Sequence, residues 1–322
     1  MSRIAALTGA TGFVGRHVAE ALAARGWRLR LLARRDPQLD FGPVPAEVVP
    51  GALSDRGALA TLVAGADAVI HVAGAIKARD RAGFMAVNRD GTTALAAAVR
   101  SEAPAARVVL VSSLAARAPA LSDYAASKAA GEAALAEAGI AAAVLRPGAV
   151  YGPGDRETLA LFRAAAWPVQ PLLGAPDARV ALIHARDLAE ATVAAVEADG
   201  SALWELSDAR AEGWTWPEIA AAACAACGRP CRAVAAPAAL LRAAGRAGDL
   251  VARLRIGPAP MLTGGKVREI LHPDWSADPA RRPPPALWRP RVALRDGFAE
   301  TAAWYRAAGW LRDAARPRGD AA

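Results

Sequence analysis

Residues 7–22 read LTGATGFVGRHVAEAL, with glycines at 9, 12 and 15 between a short apolar run and an alanine-rich segment of helical spacing. Each glycine has a separate physical use. Gly9 permits a tight turn, Gly12 lets backbone amides approach an anion, and Gly15 allows a helix to pack closely on the strand before it. The helix that opens here presents unpaired N–H groups and the positive end of its dipole to whatever lies over the turn. A glycine triplet alone is a common turn signal. This one follows the strand-like RIAAL (3–7) and opens the helix HVAEALAARG, the context in which it reads as a pyrophosphate cradle for a dinucleotide.

The alternation begun there continues. RLRLLA (28–33), AEVVPG (46–51), DAVIHVAG (67–74), RVVLVSS (107–113) and AAAVLRP (141–147) are short apolar runs, and helical patterns such as DRGALATLVAG separate several of them. Near-continuous apolar strands alternating with helices predict an α/β fold: a doubly wound parallel sheet of the Rossmann kind, with its ligand beyond the carboxyl ends of the strands. After Pro153 the pattern loosens. Residues 167–176 read as loop, 181–197 as strand then helix, ALWELS (202–207) as another strand, and the rest as mostly helical with proline-rich interruptions such as RRPPPALWRPR. The expected organisation is a dinucleotide-binding domain over 1–155, to whose sheet 178–210 returns, and a smaller, mostly helical substrate lobe over 156–322.

The second strand bears on which dinucleotide is bound. An acidic residue about 20 positions after the glycines would bind a free ribose 2′-hydroxyl, whereas arginine suits a 2′-phosphate. Here LLARRDP places Ala33 at the acidic position, followed by Arg34 and Arg35. Two guanidiniums can clamp a phosphate. NADPH is therefore the expected cofactor and NAD the alternative, with Asp36 able to offset the arginines.

The stretch SDYAASKAAGE (122–132) sets Tyr124 and Lys128 four apart in a chain with three tyrosines and only three lysines among 39 Lys+Arg residues. Capped by Ser122 or Asp123, a helix would put both on one face. At about 4 Å and an effective dielectric of about 20, the ammonium would favour a phenolate by about 4 kcal/mol, bringing the tyrosine toward neutrality. Ser112 and Ser113 end the run RVVLVSS, where a substrate oxygen would be held, and MAVNRDGT contributes Asn88.

With TGATGFVG, HVAG (71–74) and LRPGAVYGPGD (145–155), the pattern resembles the extended short-chain dehydrogenase/reductase family over about residues 4–210. GFAETAAWYRAAGWL (297–311) is similar to the closing helix of several members. The resemblance implies Tyr124 as acid/base, Lys128 as the residue that lowers its pKa and binds the ribose, Ser113 rather than Ser112 as the hydroxyl on the substrate oxygen, and Asn88 as the holder of a water relay. It also implies a cofactor lined by Gly9, Thr11, Gly12, Phe13, Val14, Gly15, Arg34, Arg35, Leu53, Val72, Ala73, Gly74, Pro147, Gly148 and Val150, and a homodimer formed through helices beside Tyr124. One departure stands out. Members commonly carry Gly-Asp-Leu after the third strand, and this chain has Gly51, Ala52 and Leu53, so an acidic adenine contact is missing there.

Other features narrow the function. The formal charge of +8 and pI near 10.2 come from scattered arginines without a basic run, which argues against nucleic acid. Met1–Arg3 lead straight into a strand and no apolar stretch spans a bilayer, so a cytoplasmic location is expected. Cys224, Cys227 and Cys231 sit in CAACGRPC without a fourth ligand nearby, and the alanine-rich surroundings match a helix face that ends at Gly228 and Pro230, so they read as small helix residues rather than metal ligands. His71 and His184 read as structural, Asp187 as a helix cap, Lys77 as a loop charge able to reach substrate, and Lys266 carries no assignment. Residues 237–257 interleave leucines with Arg242, Arg246, Arg253 and Arg255, which suits either an ordinary packed amphipathic helix or peripheral contact with an anionic membrane. Leu114 and Ala115 stand where family dehydratases carry Asp-Glu, and Arg34 and Arg35 stand where its epimerases place an acid. The reading is a reductase of a ketone on a hydrophobic, lipid-like substrate such as a 3-keto-sphingolipid, resembling dihydroflavonol, hydroxysteroid-type and bacterial ceramide-pathway reductases. The alternatives are a nucleotide-sugar epimerase or a non-catalytic dinucleotide-binding scaffold.

Overall fold

The computed structural model describes residues 3–311 except 38, 40, 43, 45, 166 and 231. Its centre is a parallel sheet built from β1 (Ile4–Thr8), β2 (Arg28–Ala33), β3 (Ala46–Pro50), β4 (Ala68–His71), β5 (Arg107–Val111) and β6 (Ala142–Pro147), joined through α1 (Phe13–Ala24), α2 (Arg56–Val63), α3 (Arg81–Met85), α4 (Gly91–Glu102) and α5 (Asp123–Glu137). β7 (Ala149–Tyr151), α6 (Leu159–Ala164), β8 (Val169–Leu172), β9 (Arg179–Val180), β10 (Leu182–His184) and α7 (Ala185–Glu197) come before β11 (Ala202–Leu206), which completes the sheet. Its strand order is β11-β6-β5-β4-β1-β2-β3. The order reverses between β4 and β1, so their carboxyl ends open the crevice where such sheets bind ligands.

Alternation along the strands feeds two cores. Ala5, Leu7, Val109 and Val111 face α1 and α7, while Ala6, Val108 and Leu110 face α2 and α4 through Leu59, Leu62, Leu95 and Val99. Both faces are covered, which is why the strands read as continuous apolar runs.

The remaining elements are β12 (Trp214–Thr215), α8 (Trp216–Cys227), β13 (Arg232–Ala235), α9 (Ala238–Arg253), α10 (Gly264–Ile270), β14 (Asp274–Trp275) and α11 (Leu294–Ala307). A third core of Tyr151, Phe162, Ile219, Phe298 and Tyr305 joins α6, α8 and α11. α8 ends at Gly228 in the left-handed conformation, as the cysteine-bearing pattern predicts; Cys224 and Cys227 are buried, and Cys231 falls outside the described residues.

Two local expectations are corrected. Residues 169–172 are a strand and not loop, because β13 arrives from some sixty positions later to pair with them in parallel, a partner no local window contains. Asp187 does not cap α7. The His184 ring does so, accepting from Arg186 N–H at 3.2 Å, while buried Asp187 accepts the Arg291 and Val292 N–H groups at 3.0 Å and anchors the proline-rich segment.

Candidate active site

Every residue named from the sequence for the site lies at or just beyond the carboxyl edge of the main sheet, or on the helices that follow. Gly9 turns the chain out of β1 with φ +81°, and a Cβ there would lie 2.6 Å from Ala73 N. A Cβ at Gly15 would overlap the Gly9 carbonyl, so α1 can seat on β1 only through glycine. Gly12 differs: its imagined Cβ meets only Gly9 O, at 3.2 Å. It is the N-cap of α1 and has no side chain to cap with, so the first-turn amides face outward without an intrahelical or side-chain acceptor. Thr11 and Gly12 are exposed, and Phe13 and Val14 are half-buried. These residues fit a pyrophosphate. From the other side, His17 Nε2 contacts Pro153 O at 2.9 Å and holds the loop after β7 against α1.

β4 ends one residue before Val72, leaving Val72, Ala73 and Gly74 as the facing wall. A Cβ at Gly74 would stand 3.1 Å from Asn88 Oδ1 and 3.6 Å from Lys128 Nζ. Asn88 sits in a single π-helical turn, residues 86–90, and is buried. Its amide donates to Ala75 O at 3.0 Å and Ser127 Oγ at 2.8 Å while its oxygen accepts Ala75 N–H at 2.7 Å, tying the β4 loop to α5.

Ser122 caps α5 by accepting from Ala125 N–H at 2.9 Å, so Tyr124 and Lys128 share a face as expected. Tyr124 keeps part of its surface open beside Phe84, and the Ser113 hydroxyl lies near enough to lower its pKa. Lys128 is buried and donates to Val111 O at 2.8 Å. The two serines separate cleanly. Ser112 is buried and bonds Glu132, which holds Arg146 in a fork at 3.0 and 2.6 Å, whereas Ser113 faces Tyr124 and caps the turn 114–117.

The electrostatics overturn one expectation. Burial pushes the Tyr124 phenol up to about 12; the Ser113 hydroxyl pulls it down, and the Glu269 and Glu157 carboxylates push it up again. Lys128 does not bring it toward neutrality. The ammonium is committed to the Val111 carbonyl and is itself pushed down to about 8 by burial, with Glu132 opposing. In this state the tyrosine holds its proton firmly.

Behind the site runs a chain of hydroxyls. Thr92 Oγ1 gives its one proton to Asn88 O at 2.8 Å, so it must accept from His71 Nε2 at 3.0 Å. His71 Nδ1 then accepts from Thr8 Oγ1 at 2.7 Å, and that oxygen accepts Ala73 N–H at 3.2 Å. The neutral ring is thus fixed in one tautomer. Burial and the Lys128 ammonium lower His71 to about 3.

The other positions sit as follows. Pro147 ends β6, Gly148 N–H donates to Leu206 O at 2.9 Å and has no room for a Cβ beside Ala181, and Val150 lies on β7. Arg34 and Arg35 are exposed just past β2. Leu53 packs on α4 where Gly91 makes space. Lys77 pairs with Glu157 at 2.8 Å, linking the loops after β4 and β7. Lys266 pairs with Glu269 at 3.2 Å, and Glu269 takes the Ser122 hydroxyl. Sequence reasoning passed over Glu132, Glu157 and Glu269. Only Glu132 had a local signal, four residues after Lys128 on the same face.

Residues 5–203 match the model of the NAD dependent epimerase/dehydratase family. The chain is 48% identical over 310 residues to a ceramide reductase of Caulobacter vibrioides, covering 96% of each chain. It is 34% identical over 201 residues, 60% of this chain and 63% of the other, to a (4-alkanoyl-5-oxo-2,5-dihydrofuran-3-yl)methyl phosphate reductase of Streptomyces griseus. Among solved structures it is similar to the Bordetella bronchiseptica enzyme WbmH in complex with NAD+, with TM-score 0.72, 20% identity and coverage of 96% and 100%. That last likeness concerns the fold.

Proposed function

Because this chain belongs to the NAD dependent epimerase/dehydratase family and is an NAD(P)-dependent oxidoreductase of the extended short-chain dehydrogenase/reductase type, we propose that it reduces a ketone on a hydrophobic, lipid-like substrate. NADPH is the proposed cofactor. The observation that carries this reading is the placement of Tyr124 near the Ser113 hydroxyl on the helix whose buried Lys128 bonds Val111 O, beyond the carboxyl end of β5. The 48% identical ceramide reductase supports a substrate of the keto-sphingolipid class.

When bound, the reduced nicotinamide supplies the hydride. In our reading Ser113 donates a hydrogen bond to the substrate oxygen as negative charge develops there. Tyr124, held protonated at neutral pH, then delivers its proton to that oxygen, completing the secondary alcohol. A phenol pushed up to about 12 is in its proton-donating form at neutral pH. We assign to Lys128, buried and bonded to Val111 O, the ribose and the phenolate left behind, roles that require it to turn from that carbonyl when cofactor binds. The outward-facing amides of α1 take the pyrophosphate, and Arg34 and Arg35 the 2′-phosphate. Residues 156–322, apart from the return through 178–210, form the substrate lobe, and we place a homodimer contact at the helices beside Tyr124.

Steady-state assays of the purified enzyme with a 3-keto-sphingolipid test the reading. NADPH should be preferred over NADH at least tenfold, and Arg34→Ala with Arg35→Ala should remove that preference. Tyr124→Phe should lose at least a thousandfold in kcat while still binding cofactor. Full activity in Tyr124→Phe, or epimerisation of a nucleotide sugar with tightly held NAD, would sink it.

A further inference from the structure

Along α9 the side chains divide into three faces. Leu241, Gly245 and Ala252 are buried, with Gly245 and Gly248 pressed on residues 262–264 before α10 and Asp249 accepting Gly264 N–H at 3.0 Å. Away from that face, Leu240, Ala243, Ala247, Leu250 and Leu254 follow one another at spacings of 3, 4, 3 and 4, a single stripe down the helix, and all are exposed. The leucines stand open by 65%, 56% and 59%, and Ile256 beyond them by 60%. Between the stripe and the buried face lie Arg242, Arg246 and Arg253. None of these has an ion-pair partner among the described residues, and Asp249, the helix's only carboxylate, points inward to Gly264. The strand before α9 adds Arg232 and Val234 to the exposed surface, and Val169, paired beside Arg232, follows Trp167, which is 71% exposed.

An apolar stripe with unpaired cations along one flank and an indole nearby matches a bilayer interface, where acyl chains take the leucines and anionic headgroups the guanidiniums. We propose that α9 docks this enzyme on an anionic phospholipid surface, lying in the interface plane. Among the described residues no helix is long and apolar enough to cross a membrane, and the attachment proposed here is peripheral. The docking helix is close to the site. α10, on which α9 packs, contributes Glu269 to Ser122, two residues before Tyr124, and Arg79 Nη2 donates to Gly257 O at 2.7 Å, tying the loop after β4 to the end of the α9 segment.

Co-sedimentation of the full chain with vesicles of phosphatidylglycerol and phosphatidylcholine tests this without cofactor or substrate, so its outcome is separate from that of the reductase reading. We expect binding to vesicles with 30% phosphatidylglycerol, little to pure phosphatidylcholine, and loss in high salt. Each arginine should contribute about fivefold to partitioning, so Arg242→Ala with Arg246→Ala should weaken it about 25-fold. Leu250→Glu with Leu254→Glu should weaken it at least tenfold while circular dichroism and thermal midpoint stay unchanged, since both side chains are exposed. Equal binding to neutral vesicles, unaltered binding by the folded leucine variant, or concentration-dependent self-association that this variant abolishes would each overturn the proposal.

Discussion

Acidifying the protein should cost it stability through one buried ring. His71 lies between Thr8 and Thr92 with both nitrogens occupied, Nδ1 as acceptor and Nε2 as donor. Protonation would force a second donor onto Thr8 Oγ1, which already accepts Ala73 N–H, and would place a cation near the Lys128 ammonium. The ring's pKa accordingly falls from 6.5 to about 3. Between these values the unfolded chain binds a proton that the folded one refuses, so the unfolding free energy drops as pH falls through that window, by at most about 1.4 kcal/mol per pH unit. Integrated from pH 7 to pH 5, the loss from this ring is about 2 kcal/mol. Urea unfolding of the wild type and of His71→Asn, a replacement whose amide retains a donor and an acceptor, reads the difference; the variant should lack about 2 kcal/mol of the pH dependence. His184 is also lowered by burial, but it remains in both proteins and cancels. The chain has four histidines, so imidazole signals in a heteronuclear NMR titration can be assigned one by one. A His71 resonance that titrates near pH 6.5 in the folded protein would refute the proposed hydroxyl chain.

The glycine turn separates space from approach: Gly15→Ala should fail to fold or melt far below the wild type, whereas Gly12→Ala should keep the fold and lose cofactor affinity, checked by thermal melts and cofactor titration. Lys128→Met removes a buried ammonium whose pKa is lowered to about 8 from 10.5, so the wild type gains stability relative to this variant as pH rises from about 8 to 10.5. Chemical denaturation across that range should show the gap changing by about 3 kcal/mol, while reductase activity is lost in the variant throughout. Asp187→Ala strands the Arg291 and Val292 N–H groups and should cost about 2–4 kcal/mol in urea unfolding, with kcat little changed.

The parallel sheet was legible because a strand covered on both faces must be apolar along most of its length, and β1, β2, β5 and β6 are, with Thr8, Arg28, Arg30, Arg107 and Arg146 as the exceptions. β8 was not legible, because its hydrogen-bond partner is the distant β13. The α5 pair was legible for a similar local reason: a four-residue spacing on a capped helix leaves no choice of face. The choice between Ser112 and Ser113 had rested on resemblance alone. The structure adds that Ser112 bonds inward to Glu132, which holds Arg146, and so supports Ser113 for that role.

What the sequence by itself determined is what depends on near neighbours: the turn that only glycine can make at position 9, the helix that carries Tyr124 and Lys128 together, and the apolar runs of the sheet. The protonation of the site was decided by tertiary structure. Desolvation and the field at a phenol are set by every group that packs around it, and Glu157 and Glu269 reach Tyr124 from segments 33 and 145 residues away in the chain. The same reason governs α9. Its leucines and arginines are plain in the sequence, but which face α10 covers, and therefore which face is left for a partner, exists only once the chain has folded.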